Sequence, residues 1–394
     1  MLGQIQETKD SCGATIFCLL DYSYNKTVGA IHELSLLSVF YSELYTMKYQ
    51  NFISDRTQFY QLPQPLKLEL GEVLSHVQIA YRTWGSLNAK GDNAILICHG
   101  FTANADADLW WDGLFGEGKT FDPNLDFIVS SNILGSCYGS TGAASINPKT
   151  GKPYGASFPA ITIRDMVRSQ FELMQGLHIP QWKLVIGGSL GGMQTLEWAL
   201  TYPEFVKAIV PIAASGRHSA WSIALAEAQR QAIYADPHWL NGNYDRDLPP
   251  HQGLAIARMI ATCSYYGRLD FEQRFPRQQN QVNNFAIANY LHDEGEKFLK
   301  RFDANVYISL SKAMDSHDLG RNRGDYHSVL ASIHQPTLVV AICSDLLYFP
   351  EEQQELAKFI PNSEIVQLQS IQGHDAFLLD LENLNHLLVD FCKD

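Results

Sequence analysis

The chain is short of basic charge: 29 Lys and Arg stand against 42 Asp and Glu, a formal net charge of -13 over 394 residues. No run of Lys or Arg offsets this, which excludes a protein that holds nucleic acid by neutralising phosphates. The seven cysteines (Cys12, Cys18, Cys98, Cys137, Cys263, Cys343 and Cys392) are odd in number and scattered, and none stands in C-x-x-C spacing. Neither a zinc site nor a disulfide framework is therefore indicated, and a cytoplasmic setting is expected. Long apolar runs are missing too, since none approaches the ~18 to 20 residues of a membrane-spanning helix. Ala14 to Leu20 comes nearest to a signal-peptide core, but Glu7, Lys9 and Asp10 before it give none of the basic excess that export requires. With 46% hydrophobic residues, the chain has the length for one large catalytic domain, or a domain with an insertion, around a sizeable core.

Residues 1–46 have no strand-turn-helix rhythm and read as an appendage, either a weakly ordered extension or an upstream start before Met47. After it, β and α signals alternate, as a mostly parallel sheet with helices on both faces requires. Leu66 to Leu70 and His76 to Arg82 are predicted as opening strands. Ala94 to Cys98, Phe127 to Ser131, Leu184 to Ile186, Val206 to Ala213, Thr337 to Cys343 and Ile365 to Leu368 follow, with helices over Leu190 to Tyr202, Glu351 to Phe359 and Ala376 to Phe391. Between residues 217 and 326 the rhythm stops and the composition turns helical. An excursion leaving the carboxyl end of a parallel strand lies over the place where open α/β sheets collect their function, so 217–326 is predicted as a lid. The catalytic domain is then 47–216 with 327–394.

Gly187-x-Ser189-x-Gly191 has the pattern of a nucleophile elbow, with an apolar strand directly before it and an amphipathic helix directly after. A serine hydroxyl needs a base to take its proton, and the base needs a carboxylate to fix its tautomer. Asp345 and His374 follow in the order that this architecture uses, each just past a predicted strand. Ser189, Asp345 and His374 are thus the predicted catalytic triad. The amide N–H groups of Leu190 and Phe101 are predicted to form the oxyanion hole, the latter from the turn His99-Gly100-Phe101-Thr102. His99 is read as orienting that turn.

These residues sit in longer segments that resemble the homoserine O-acetyltransferase family of methionine biosynthesis, within the α/β-hydrolase fold. The resemblance runs from about Leu66 to the end of the chain. It is carried by Leu109-Trp110-Trp111-Asp112-Gly113, Asn132 to Tyr154, Phe158 to Asp165, Gly187 to Trp198, Gly253 to Ile260, Ser344 to Pro350 and Gly373 to Leu378. It implies acetyl transfer from acetyl-CoA to L-homoserine through acyl-Ser189, Arg258 and Asp375 as substrate contacts with Tyr265 beside them, no bound cofactor or metal, and a homodimer through the lid helices. Two segments depart from the family pattern: HGFTA at residues 99–103 and ATCSYYG at residues 261–267. A succinyl donor, or serine or water as acceptor, would use the same triad. A succinyl donor would also need an extra cation.

Overall fold

The computed structural model describes residues 53–277 and 285–393. The predicted appendage, 1–46, lies outside them. Eight strands form the main sheet: β1 (Gln58–Gln61), β2 (Gln78–Trp84), β3 (Ala94–Cys98), β4 (Phe127–Ser131), β5 (Trp182–Gly188), β6 (Ile209–Ile212), β7 (Thr337–Ile342) and β8 (Ser363–Leu368). Their spatial order is β1-β2-β4-β3-β5-β6-β7-β8. β2 runs antiparallel to both neighbours, and the other pairings are parallel.

The sequence of the central strands explains their place. Ala94–Cys98 and Thr337–Ile342 are buried at every residue, as parallel strands covered on both faces must be. Because side chains alternate across a strand, Ile95 and Ile97 join one core with Trp111, Phe121, Phe377 and Leu388, while Leu96 and Cys98 join the other with Met193 and Trp198. Helices α1 (Ile163–Gly176) and α2 (Leu190–Thr201) cover the second face. α1 opens on a capping box, Thr162 accepting from the Asp165 N–H while the Asp165 carboxylate accepts from the Thr162 N–H.

The opening of the sheet differs from the predicted one. Leu66–Lys67 pairs with Val73–Leu74 in a separate short hairpin, and the edge strand is Gln58–Gln61. Its short, mostly exposed sequence, Gln-Phe-Tyr-Gln, carries no apolar-polar alternation to announce a strand. The last helix is also broken: Ala376–Leu379 and α10 (Leu381–Lys393) meet at Asp380, whose backbone leaves the helical region at φ -100°, ψ 57°. Asp380 restarts the second helix by accepting from the Leu384 N–H and the Asn383 side chain.

Between β6 and β7 the chain runs through α3 (Ala220–Tyr234), α4 (His251–Tyr265), α5 (Arg268–Arg274), α6 (Ala286–Leu299) and α7 (Ala304–Asp315), and then α8 (Tyr326–Ala331). α4 packs between α3 and α6. The excursion leaves and returns side by side: the His218 N–H donates to the His317 carbonyl and the Leu319 N–H to the Gly216 carbonyl, each at 2.9 Å. α9 (Pro350–Phe359) then follows β7. No helix among the described residues is long and apolar enough to cross a membrane.

Candidate active site

Ser189 occupies the single residue between β5 and α2. Its backbone stands at φ 59°, ψ -125°, a left-handed conformation that a side-chain-bearing residue adopts only where the surroundings impose it. Here the imposition comes from close backbone packing. A Cβ on Gly187 would lie 2.5 Å from the Cys98 carbonyl oxygen, and one on Gly191 would overlap that same oxygen. The two glycines therefore let β3 and the start of α2 approach each other around the serine. The Ser189 N–H donates to the Ile212 carbonyl at 2.9 Å, fixing the elbow to β6.

Asp345 and His374 arrive from the carboxyl ends of β7 and β8 on the same edge of the sheet. The Asp345 Oδ2 to His374 Nδ1 distance is 2.7 Å, and both side chains are buried. The other carboxylate oxygen, Oδ1, accepts the N–H groups of Leu347 and Tyr348 at 2.8 and 2.9 Å. Asp345 is thus at once a turn residue and the partner of the imidazole. Burial works against a charged His374, but the neighbouring Asp345 carboxylate, with Asp375 behind it, outweighs this and holds the ring above its ordinary 6.5. Ser189 and His374 line the same cavity. No hydrogen bond joins them directly among the described residues.

The loop after β3 is held from several sides. The Ile133 N–H donates to His99 Nε2 at 3.1 Å, so Nε2 is the bare nitrogen and Nδ1–H is left to donate to the Gly100 carbonyl at 2.8 Å. Complete burial lowers the His99 pKa to about 4, consistent with this neutral tautomer. In a trans peptide the N–H points opposite its carbonyl, and the Gly100 carbonyl shares its peptide plane with the Phe101 N–H. His99 thereby aims the Phe101 N–H away from itself. That N–H and the Leu190 N–H at the start of α2 have no acceptor among the described residues, as a pair of donors waiting for an oxyanion requires.

A cavity of about 370 Å³ joins these parts, lined among others by Phe101, Ser189, Arg258, Tyr265, His374 and Asp375. Arg258, from α4, packs its guanidinium over the rings of Tyr265 and Phe298 at 5.3 and 5.2 Å. Its nearest carboxylate, Glu294, is 3.9 Å away, and its buried Nε–H has no partner. Asp375 makes no capping hydrogen bond to the helix it precedes. Burial raises its carboxyl to about 6, against the pull of His374 and Arg258. Tyr265 places its ring 6.1 Å from that of His374, and burial lifts its phenol to about 12.

Of the predicted site residues, Phe101, Ser189, Arg258, Tyr265, His374 and Asp375 line this cavity, while Asp345 bonds His374 and Leu190 follows Ser189 at the start of α2. The structure adds Tyr138 and Arg301, which the sequence did not single out. Tyr138 lies within the family-like stretch Asn132 to Tyr154 but carries no motif of its own, and Arg301 follows α6 with no chemical motif around it.

The strand order, the strained serine between strand and helix, and an Asp–His pair borne by the last two strands together define a serine-centred protein of the α/β-hydrolase class. In keeping with this, residues 93–381 match the family model described as alpha/beta hydrolase fold. The chain is 63% identical over 346 residues to homoserine O-acetyltransferase of Trichormus variabilis, covering 88% of this chain and 96% of that one. The chain belongs to the homoserine O-acetyltransferase family. Among solved structures, homoserine O-acetyltransferase from Bacillus anthracis superposes with a TM-score of 0.81 at 27% identity, over 86% of this chain and 97% of that one. A crystallised esterase superposes with a TM-score of 0.79 at 28% identity, over 85% and 99%.

Proposed function

We propose that this chain transfers an acetyl group from acetyl-CoA to the hydroxyl of L-homoserine in two half-reactions through an ester on Ser189, with methionine biosynthesis as its setting. In the first, His374 takes the Ser189 proton as Oγ attacks the thioester carbonyl. The tetrahedral oxyanion is met by the N–H groups of Phe101 and Leu190, donors typically worth ~2.7 to 4 kcal/mol each. Collapse releases the CoA sulfur, which takes the proton from the imidazolium. In the second, His374 accepts the homoserine hydroxyl proton, the oxygen attacks the ester, and collapse returns a proton to Ser189. The chemistry calls for no metal or prosthetic group.

The observation that carries the reading is the pair of opposite charges flanking the serine. A partnerless Arg258 Nε–H suits the homoserine carboxylate, and an uncapped Asp375 carboxylate suits its ammonium. Water competes with any acceptor for the acyl-enzyme, so a transferase gains from holding its acceptor in an attacking pose, with effective molarities that reach ~10⁵ M or more. Such a pair gives an amino-acid acceptor two handles, which hydrolysis by water does not need.

The test incubates the purified protein with acetyl-CoA or succinyl-CoA and with homoserine, serine or water alone, and identifies the esters. O-acetylhomoserine is the expected product. Arg258→Ala and Asp375→Ala should each cut transfer about 100-fold or more while sparing acetylation of Ser189. Free acetate as the sole product in every mixture would make the protein an esterase.

The assembly proposed is a homodimer through the lid helices in the cytoplasm. Exposed Ile256 on α4 and Leu269 on α5 support the pairing, and unpaired Cys98, Cys137, Cys263, Cys343 and Cys392 suit the compartment. A monomer in sedimentation at micromolar concentration would contradict the dimer.

A further inference from the structure

The loop that carries the Phe101 N–H is poorly closed by itself. Its own turn bond, from the Ala103 N–H to the Gly100 carbonyl, is 3.3 Å long, so its shape depends on what grips it from outside. His99 holds the Gly100 carbonyl and the Asn132 side chain accepts from the Ala105 N–H. The third grip comes from the lid. Arg301 Nη1, just beyond α6, donates to the Thr102 carbonyl and to the Tyr138 hydroxyl, each at 2.7 Å, using both hydrogens of that nitrogen on protein oxygens. The same lid segment sets Tyr307 and Phe302 against the Phe101 ring, with centroids 4.8 and 6.2 Å apart.

We propose that Arg301 is a positioning residue for acyl transfer, a tether from the lid that keeps the Gly100–Ala103 turn in the shape that aims the Phe101 N–H at the oxyanion. The inference rests on the acyl-serine reading above. Arg301 does not touch the reacting atoms. It holds the Thr102 carbonyl, two peptide planes from the donor, and the Tyr138 hydroxyl accepts from the same nitrogen. Nη1 of this second cavity-lining cation is thus engaged by the protein's own oxygens.

The test measures acetylation of Ser189 without any acceptor, as the burst of p-nitrophenol from p-nitrophenyl acetate and of free CoA from acetyl-CoA. Full removal of an oxyanion donor costs ~10² to 10³ in rate, and a loosened loop should cost less. Arg301→Met is expected to slow acetylation about 10- to 100-fold, with KM for acetyl-CoA and homoserine changed less than about threefold. Arg301→Lys, which keeps one charged donor, should recover part of that loss, and Tyr138→Phe should show a smaller loss of the same kind. Wild-type acetylation by folded Arg301→Met overturns the inference, as does a loss that appears in KM alone. If Arg301→Met does not fold, Arg301→Lys and Tyr138→Phe decide, and wild-type acetylation by both overturns it. A wild-type protein that shows no burst would instead remove the acyl-serine reading itself.

Discussion

At the scale of single residues, the site is a set of charges whose mutual influence can be titrated. His374 works as a base only when neutral, so activity must fall as pH drops through its pKa, which lies above 6.5 because Asp345 and Asp375 favour the imidazolium. Asp375→Asn removes one of those two contributions. The acid limb of kcat/KM should therefore move to lower pH, measured on p-nitrophenyl acetate so that acceptor binding plays no part. A limb that stays in place or moves upward would show that Asp375 does not act on the imidazole. Ser189, Asp345 and His374 were legible in the sequence because a nucleophile between glycines and an acid and base past later strands leave marks in spacing. Arg301 left none. Its role comes from two oxygens, on Thr102 and Tyr138, that are 199 and 163 residues away along the chain.

At the scale of elements, the nucleophile depends on how closely β3, β5 and α2 can pass one another. The Gly191 position faces the Cys98 carbonyl oxygen, part of a buried strand that cannot give way. Gly191→Ala should thus cost about 3 kcal/mol or more in stability and remove activity with it, read by urea denaturation and initial rates. Unchanged stability would mean that the elbow has slack the structure does not contain. The buried strands were readable as apolar runs, since a parallel strand covered on both faces has no choice of residue. The edge strand Gln58–Gln61 was not, because its pairing with β2 is made by backbone groups and its side chains are mostly exposed. The break at Asp380 leaves no mark in the sequence either: Ala376 to Phe391 has helical periodicity throughout, and one residue's dihedral angles interrupt it.

At the scale of the whole molecule, the excursion between β6 and β7 is fastened to α1 and α2 by a largely buried ion network. Arg164 of α1 bonds Glu197 of α2 at 3.0 Å and Glu69 at 2.7 Å, and its remaining nitrogen reaches the carbonyls of Asp318 and Arg321, where the lid returns. Arg321 closes on Glu69 and Arg323 on Glu197, at 2.9 and 2.8 Å. Burial would raise the Glu197 pKa, but Arg323 and Arg164 outweigh it and hold the carboxyl below its ordinary value. Removing one partner of a buried network leaves the others desolvated, so Arg164→Met should lower stability by about 3 to 5 kcal/mol. Equilibrium denaturation checks this, and a change under about 1 kcal/mol would mark the network as incidental. The excursion was legible in composition, but where it is fastened follows from side chains separated by more than a hundred residues.

The most direct test of acyl transfer through Ser189 is the intact mass of the protein after mixing with acetyl-CoA and no acceptor, with Ser189→Ala alongside. We expect one acetyl group on the wild-type chain, located at Ser189 and discharged on adding homoserine, and none on the variant. A Ser189→Ala protein that still forms O-acetylhomoserine at the wild-type rate would contradict it.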